Sequence, residues 1–261
     1  MIAVGERING MFVDVKKAIQ EQDKKVIQGL AIRQTKAGAK YLDVNVGTAS
    51  ADPATTMKWL VTTIQEVCDT PLALDSQRFS VIQAGLELAK GKIMINSSKG
   101  DAEVLDKWMP LAAKHNAALV CLTITKEGVP QDMDKRMEIA ATIAERAMHH
   151  GLAMTDIFID PIILPVNVAQ NQPRFLLDVM AQVKCLSDPP PKTIIGLSNL
   201  SQGTEQRSLI NRTFLVMAAA AGLEAAIVDV FDEELMDAWI TAEMIMNKQI
   251  YSASFLKAGR L

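Results

Sequence analysis

Cysteine and histidine are both scarce in this sequence of 261 residues, which contains three of each. Cys68, Cys121 and Cys185 lie too far apart to form a CxxC pair, which excludes a zinc ribbon or a cysteine-ligated iron–sulfur cluster within one chain. We expect all three cysteines to be core thiols, because a free cysteine behaves as a small buried apolar residue. The histidines form neither an HxH nor an HxxxH pattern, so no metal site is predicted and any cofactor should be an organic molecule.

An excess of charge of one sign is lacking as well. The 27 Lys and Arg residues are balanced by 30 Asp and Glu residues, and no segment concentrates the cations. Because nucleic-acid binders carry a basic patch, DNA and RNA are not expected as partners. No apolar stretch reaches the length of about 18 residues that a membrane helix requires, and the N-terminus lacks the basic-then-apolar pattern of a signal peptide. We therefore expect a cytoplasmic protein without membrane association.

Short apolar runs alternate along the chain with segments of helical periodicity. Met57, Met217 and Met244 fall at apolar positions of those segments and are expected to fill the core. The runs are nearly continuous, as parallel strands buried on both faces require. Eight repeats of strand and helix predict a (β/α)8 TIM barrel, a fold of about 250 residues that would use residues 1–261 as one domain. The predicted strands are residues 2–4, 41–46, 71–74, 92–95, 118–124, 156–159, 192–197 and 224–230.

A doubly wound parallel sheet is the alternative fold. It would need a glycine-rich GxGxxG turn after the first strand to hold the phosphates of a dinucleotide. The sequence at that point is GERING, residues 5–10, which does not match this pattern. The barrel is therefore the preferred prediction.

Polar residues follow most of the predicted strands, where the active site of a TIM barrel lies. Asp75, Asn96 and Asp160 follow strands three, four and six. A carboxylate accepts two parallel N–H bonds and an amide meets a mixed donor–acceptor edge, so these residues favour a pterin or a purine-like base. A phosphate ligand would need more cations than Arg78 and Lys99, the single basic residues of the two nearest turns.

The candidate residues fall in motifs that occur in order along the whole chain. The motifs are VGERING at 4–10, LDVNVG at 42–47, LDS at 74–76, INSS at 95–98, DPIILP at 160–165 and GLSNLSQ at 196–202. Together they resemble the pterin-binding methyltransferases, a family that includes the folate module of cobalamin-dependent methionine synthase. The resemblance is closest to the methyltetrahydrofolate:corrinoid/iron–sulfur protein methyltransferases of anaerobic acetogens, to which LINRTFL at 209–215 is also similar.

This resemblance implies a homodimeric barrel of one-carbon metabolism that exchanges the N5 methyl group of 5-methyltetrahydrofolate with the cobalt of a corrinoid (cobalamin). Tetrahydrofolate would be the other folate form in the reaction. By the motif match, Asp75, Asn96 and Asp160 would hold the pterin. Glu6 is a further pterin-binding candidate, although we expect it to form a buried ion pair with Arg7.

The turn after strand seven carries the residues that the resemblance assigns to methyl transfer. Asn199 would be the catalytic residue that reaches N5, with Ser198 and Gln202 beside it. No histidine follows a strand, so no single general acid with a near-neutral pKa is expected. Asn199 would instead donate a hydrogen bond to N5, within a network of water and Asp160 or Asp75.

The corrinoid is expected on a separate corrinoid protein, because none of the three histidines lies in the corrinoid-binding motif DxHxxG. Zinc ligands for homocysteine are also missing, so the chain resembles the folate half of a two-protein reaction. Two alternatives stay open. A non-catalytic folate-binding protein would keep the pocket without turnover, and a dihydropteroate synthase would carry Ser-Arg-Lys where this chain has Ser198-Asn199-Leu200. The sequence does not set the direction of transfer.

Overall fold

The predicted barrel is confirmed by a computed structural model, which describes residues 1–260. Eight parallel strands pair in chain order, and the first pairs with the last to close the sheet. Strands joined through helical crossovers pair in parallel, because each crossover returns the chain to the same end of the sheet. The strands are β1 (Ile2–Asn9), β2 (Tyr41–Asn45), β3 (Leu72–Asp75), β4 (Ile93–Lys99), β5 (Ala118–Leu122), β6 (Ile157–Asp160), β7 (Lys192–Gly196) and β8 (Ala225–Val228).

Helices surround the barrel, and several begin at an aspartate whose side chain accepts an N–H of the first turn, such as Asp52 and Asp232. Within residues 1–260, no helix is both long and apolar enough to cross a bilayer. The helices are α1 (Val13–Glu21), α2 (Lys24–Lys36), α3 (Pro53–Gln65), α4 (Phe79–Leu86), α5 (Ala102–Lys114), α6 (Met133–His149), α7 (Gln172–Val183), α8 (Arg207–Ala220), α9 (Glu233–Ile245) and α10 (Phe255–Arg260). Short 3-10 helices span Met154–Asp156 and Leu197–Asn199.

Two strands are longer than the apolar pattern predicts. β1 continues to Asn9 and β4 continues to Lys99, although their apolar runs end at residues 4 and 95. Both added segments stay in the sheet, with a register shift between Gly5 and Ile8 of β1 and between Asn96 and Ser98 of β4, and Glu6 and Asn96 face the barrel interior. A strand that lines an open mouth can therefore be polar over its last residues.

The core has two parts, on opposite faces of the sheet. The larger part lies between the strands and the surrounding helices. The smaller part fills the inside of the barrel and forms an apolar floor below the C-terminal ends of the strands. Its members are Val4, Ala73, Met94, Ala118, Val120, Phe158, Ile194 and Ala225.

The three cysteines are not all core thiols. Cys121 is buried as predicted, whereas Cys68 is half-buried and Cys185 is exposed just after α7. Burial raises the pKa of the Cys121 thiol far above its ordinary value. The prediction was wrong for Cys185 because a turn between helix and strand lies at the protein surface.

The methionines also divide between core and surface. Met57 is fully buried and Met244 is half-buried, but Met217 on α8 is 48% exposed. Helical periodicity identifies an apolar stripe without showing how far that stripe extends beyond the contact with the barrel. The exposed position of Met217 marks an apolar surface on α8.

Candidate active site

A layer of polar side chains lies directly above the apolar floor of the barrel. Side chains alternate along a strand, so the residue two positions beyond an interior residue also faces the interior. Asp75, Asn96 and Asp160 stand in this relation to floor residues of β3, β4 and β6, and this confirms their predicted position at the mouth. We define the polar layer as the set of inward-facing residues Glu6, Asp43, Asp75, Asn96 and Asp160.

The carboxylates of Asp43 on β2 and Asp75 on β3 each accept a hydrogen bond from one side-chain amide. Asn45 Nδ2 donates to Asp75 Oδ2 at 2.5 Å, and Asn96 Nδ2 donates to Asp43 Oδ1 at 3.0 Å. Strand register brings these groups together, since it pairs Asn45 with Asp75 and Asp75 with Asn96. The Asn45 amide is oriented in turn by Gly47, whose N–H donates to Asn45 Oδ1 at 2.6 Å. Each carboxylate thus uses one oxygen for an amide.

Burial alters the protonation of Asp43 and Asp75. Asp43 is 2% exposed, and desolvation raises its pKa well above the ordinary value, with a further contribution from the charge of Asp75. Desolvation raises the pKa of Asp75 to about 6, against the hydrogen bond from Asn45. Because the two carboxyls interact, they titrate as a pair and resist carrying two negative charges together.

Asp160 begins a loop that a buried arginine holds in place. Asp160 Oδ1 accepts the Ile162 N–H at 2.7 Å, and Ile162 has a φ of 61°, which is rare for a β-branched residue. Arg136 of α6 is fully buried and donates to the carbonyl oxygens of Pro161 at 2.6 Å and Ile162 at 3.1 Å. These bonds stabilise a loop conformation that Ile162 alone would disfavour.

Asp160 is an acid that titrates near neutral pH. Burial raises its pKa to about 7, against the opposing effects of the Ile162 N–H and the Arg136 charge. The expectation that the site lacks a near-neutral acid is therefore wrong. It followed from the absence of histidine, but desolvation can move a carboxyl into the same titration range.

Across the mouth, β1 contacts the turn that follows β7. Ser198 Oγ donates to the Glu6 carboxylate and lies 2.9 Å from both of its oxygens. Burial raises the pKa of Glu6 despite this hydrogen bond, and the charge of Asp229 raises it further. Arg207 donates to the Ser198 carbonyl at 3.2 Å, so the turn is fixed from two sides. A cavity of about 290 Å³ opens beside these residues.

The predicted ion pair between Glu6 and Arg7 does not form. Arg7 lies 2.7 Å from Asp14 of α1, and its guanidinium carbon is 4.1 Å from the centre of the Phe12 ring. Adjacent residues of a strand point to opposite faces of the sheet. Glu6 therefore faces the barrel interior, while Arg7 faces the helix side.

Asn199 presents a free carboxamide at the mouth. It ends the 3-10 helix that follows β7 and is exposed. Within the part of the chain that the structure describes, its side-chain amide forms no hydrogen bond. Gln202 lies in the same loop, exposed, and its backbone N–H donates to the Asn199 carbonyl at 3.2 Å. Ser198 thus contacts the polar layer through Glu6, whereas within residues 1–260 neither the Asn199 nor the Gln202 side chain is hydrogen-bonded to it.

Asp43 is a polar residue of the second predicted strand and so a site candidate, but the motif match gives no role to it or to Arg136, both of which shape this site. Asp43 alternates with Asn45 along β2, and that two-residue period is a signal for an inward-facing carboxylate. Arg136 lies on the same stripe of α6 as Ile139, Ala140 and Ile143. A cation on an apolar helical stripe is a signal for a buried arginine with structural partners.

The fold and the site together define a TIM-barrel enzyme with an acid- and amide-lined pocket at its mouth. In residues 1–260, no cluster of three or more His, Cys, Asp or Glu side chains could hold a metal ion. The chain belongs to the pterin binding enzyme family, whose sequence model matches residues 11–229.

Two relatives show which members of this family the chain is similar to. It is 31% identical over 264 residues to the methylcorrinoid:tetrahydrofolate methyltransferase of Eubacterium limosum, an alignment that covers 100% of this chain and 96% of that protein. It is also 32% identical over 241 residues to the methionine synthase of Mycobacterium leprae. That alignment covers 87% of this chain and 20% of the synthase, so the chain corresponds to about a fifth of that protein.

Solved structures of dihydropteroate synthases share the barrel. The enzyme from Thermus thermophilus superimposes with a TM-score of 0.66 and 17% identity, over 96% of this chain and 94% of the other. The enzyme from Yersinia pestis gives a TM-score of 0.65 and 17% identity, over 95% and 94%. At this level of identity the likeness describes the fold alone.

The raised pKa of Asp160 predicts that Asp160→Asn stabilises the ligand-free protein at high pH. A folded pKa of about 7, above the unfolded value of about 3.9, means that ionisation opposes folding as pH rises through that interval. At pH 8 we expect a gain of at least about 1.4 kcal/mol, the equivalent of one pKa unit, in the free energy of unfolding measured with urea. At pH 4 the gain should vanish.

Asp52→Asn is the matched control for this measurement. Asp52 is an exposed N-cap whose pKa is lowered by its hydrogen bonds to Thr55, and asparagine caps a helix equally well. This variant should gain no stability at pH 8. An Asp160→Asn variant whose stability differs from that of the wild type by the same amount at both pH values would contradict the prediction.

Proposed function

We propose that this protein is a methyltransferase that moves the N5 methyl group between 5-methyltetrahydrofolate and the cobalt of a corrinoid carried by a separate protein. The observation that carries the proposal is the polar layer of buried carboxyls and an amide, together with the free carboxamide of Asn199 in the turn that follows β7. The similarity over the full chain to a methylcorrinoid:tetrahydrofolate methyltransferase supports the same reaction. Methionine synthase, the other relative, is also a methyltransferase.

Asp75, Asn96 and Asp160 are proposed to hold the pterin ring. The amino-pyrimidinone edge of a pterin presents several N–H donors and one carbonyl acceptor, which match two carboxylates and an amide. Asp75 and Asp160 each carry one oxygen that forms no side-chain hydrogen bond in residues 1–260. N–H donors of a ligand would offset the desolvation that raises the pKa of both groups.

Methyl transfer also requires a proton at N5, and the polar layer is proposed to help supply it. A neutral tertiary amine is a poor methyl donor, because loss of the methyl group would leave an amide anion on nitrogen. N5 must therefore gain a proton before or during the attack of cobalt on the methyl group. When the N5–CH3 bond breaks, Co(I) supplies the electron pair of the new Co–CH3 bond and N5 leaves as a neutral N–H. We assign the proton supply to water in a network with Asp160 or Asp75, since burial favours the protonated form of both carboxyls.

Asn199 is proposed to be the catalytic residue. Its free carboxamide can donate a hydrogen bond to N5. This bond strengthens as the N5–CH3 bond breaks and electron density builds on N5, so it stabilises the transition state more than the bound substrate. Ser198, Gln202 and Glu6 are proposed to complete the surroundings of the pterin, with Glu6 acting through its bond to Ser198. The same groups can serve methyl transfer from the folate to the corrinoid or from the corrinoid to the folate. The methylation state of the corrinoid would therefore set the physiological direction.

A homodimer is proposed to form through α7 and α8. These helices enclose an apolar groove of about 330 Å³ that Leu177, Leu209, Phe214 and Met217 help to line. Leu209 is 59% exposed and Met217 is 48% exposed, more than is usual for large apolar side chains of a helix face. Burial against a second copy would remove this surface from water.

The direct test of the function uses purified protein, 5-methyltetrahydrofolate and Co(I) cobalamin under anaerobic conditions. We expect the visible spectrum to change from Co(I) to methyl-Co(III) at a rate proportional to enzyme concentration. We also expect the isolated protein to contain neither cobalt nor iron by metal analysis, and to react with a corrinoid protein at a much lower KM than with free cobalamin. Tight folate binding without any cobalt turnover would instead indicate a non-catalytic folate-binding protein.

Asp75→Asn and Asp160→Asn are each expected to weaken 5-methyltetrahydrofolate binding by about tenfold to a hundredfold. The amide introduces a donor toward ligand N–H groups, and a buried mismatch costs about 1–3 kcal/mol. Isothermal titration calorimetry measures the effect, with Asp52→Asn as the matched exposed control. Unchanged affinity in both variants would remove the pterin assignment.

Asn199→Ala is expected to lower the methyl-transfer rate by about 10² to 10³, as loss of one preorganised donor does elsewhere. Folate affinity should change far less, because the donated bond strengthens only as the N5–CH3 bond breaks and its electron pair moves onto N5. Stopped-flow rates and equilibrium binding separate the two effects. Equal losses in rate and affinity would make Asn199 a simple ligand contact.

Met217→Glu is expected to convert the dimer to a monomer in sedimentation velocity experiments. A charge in the middle of the groove would be desolvated without a partner on association. Met148→Glu is the matched control, because Met148 is 58% exposed at the end of α6, away from the groove. A wild-type protein that is already monomeric at micromolar concentration would contradict the proposal.

A further inference from the structure

We propose that Gly196 is a positioning residue for methyl transfer, because its missing side chain lets the Asn199 carboxamide occupy the β7 sector of the polar layer. The inference rests on the proposed role of Asn199. It assigns a function to a residue that would touch neither the pterin nor the methyl group.

The alternation of side chains places Gly196 in the polar layer. Ile194 of β7 belongs to the apolar floor, so Gly196, two positions further along, faces the barrel interior. The corresponding positions on β1, β3, β4 and β6 carry Glu6, Asp75, Asn96 and Asp160. β7 therefore contributes no side chain of its own to the layer.

The Asn199 amide occupies the space that a side chain at Gly196 would need. A Cβ at Gly196 would lie 2.9 Å from Asn199 Nδ2 and 3.9 Å from its Cγ, with no other atom beyond the adjacent residues within 4 Å. At Gly10, by contrast, an added Cβ would lie 2.0 Å from the backbone oxygen of Val46, so that glycine is required by chain packing. Only the Asn199 side chain limits the residue at position 196.

The backbone does not require glycine at this position either. Gly196 has a φ of −84° and a ψ of 87°, on the negative-φ side that alanine can adopt. Alanine should therefore leave the barrel intact while moving the flexible end of one exposed side chain. The glycine is explained by the location of the carboxamide and by no other contact.

Hydrogen bonds of the neighbouring residues hold the backbone of the turn that carries Asn199. Ser198 is anchored to Glu6, its carbonyl accepts from Arg207, and the Leu200 N–H donates to the Leu197 carbonyl at 3.1 Å. With the backbone held in this way, the carboxamide must move by rotation of its own side chain when a Cβ enters. Misplacement of a catalytic group by about 1 Å can cost about a hundredfold in rate.

The experiment compares Gly196→Ala, Asn199→Ala and the double variant in the cobalt-linked assay. We expect Gly196→Ala to lower the transfer rate by about tenfold to a hundredfold and to change the folate Kd by less than about threefold. In the Asn199→Ala background the same substitution should have no further effect, because Gly196 acts through the missing carboxamide. Gly29→Ala is the matched control, since an added Cβ there meets nothing within 4 Å.

A second readout does not depend on activity. In protein labelled with 15N-asparagine, the side-chain NH2 resonance that disappears in Asn199→Ala should shift in Gly196→Ala and stay in place in Gly29→Ala. Additive rate losses in the double variant, an unshifted resonance, or a Gly196→Ala protein that unfolds would each overturn the inference. A wild-type protein without methyl transfer would instead reject the proposed function, and the resonance would still test the positioning.

Discussion

Desolvation of carboxyl groups is the constraint on which the site depends. Glu6, Asp43, Asp75 and Asp160 lie at the mouth of a barrel whose interior is filled with apolar side chains, and burial raises the pKa of each. In water these acids would all be ionised near pH 7. Here burial disfavours the ionised form of each acid, and a ligand with N–H donors and a basic nitrogen would relieve the cost of their burial.

The loops around the mouth are organised to keep these acids in place. Arg136 fixes the loop after β6 through carbonyl oxygens, and Ser198 and Arg207 fix the turn after β7. The Arg136 guanidinium lies behind Asp160 and bonds backbone oxygens instead of the carboxylate, so its charge lowers the Asp160 pKa without abolishing the upward shift. A direct ion pair would hold Asp160 ionised and remove the near-neutral acid.

The barrel and the position of most of the site can be predicted from the sequence. Continuous apolar runs and helical segments recur eight times, and the polar residues that follow them must meet at one end of a closed parallel sheet. Asp43 is a candidate without an assigned role because it lies inside an apolar run, and the Glu6–Arg7 pair fails because adjacent strand residues face opposite ways. The near-neutral pKa of Asp160 depends on burial, which a pattern of residue types does not measure.

In the proposed reaction, the amide at Asn199 and the acids of the polar layer have different tasks. A proton source must change charge near the working pH, and buried carboxyls do so. A donor to N5 must point in one direction throughout the reaction, whatever the protonation state of its neighbours, and a carboxamide does not titrate. An acid at position 199 would add negative charge to a mouth where the acids already resist ionisation, and it would lose its donor on deprotonation. Under the proposed function, this division between titrating acids and a fixed amide would let one site serve methyl transfer in both directions, because neither role depends on which substrate arrives methylated.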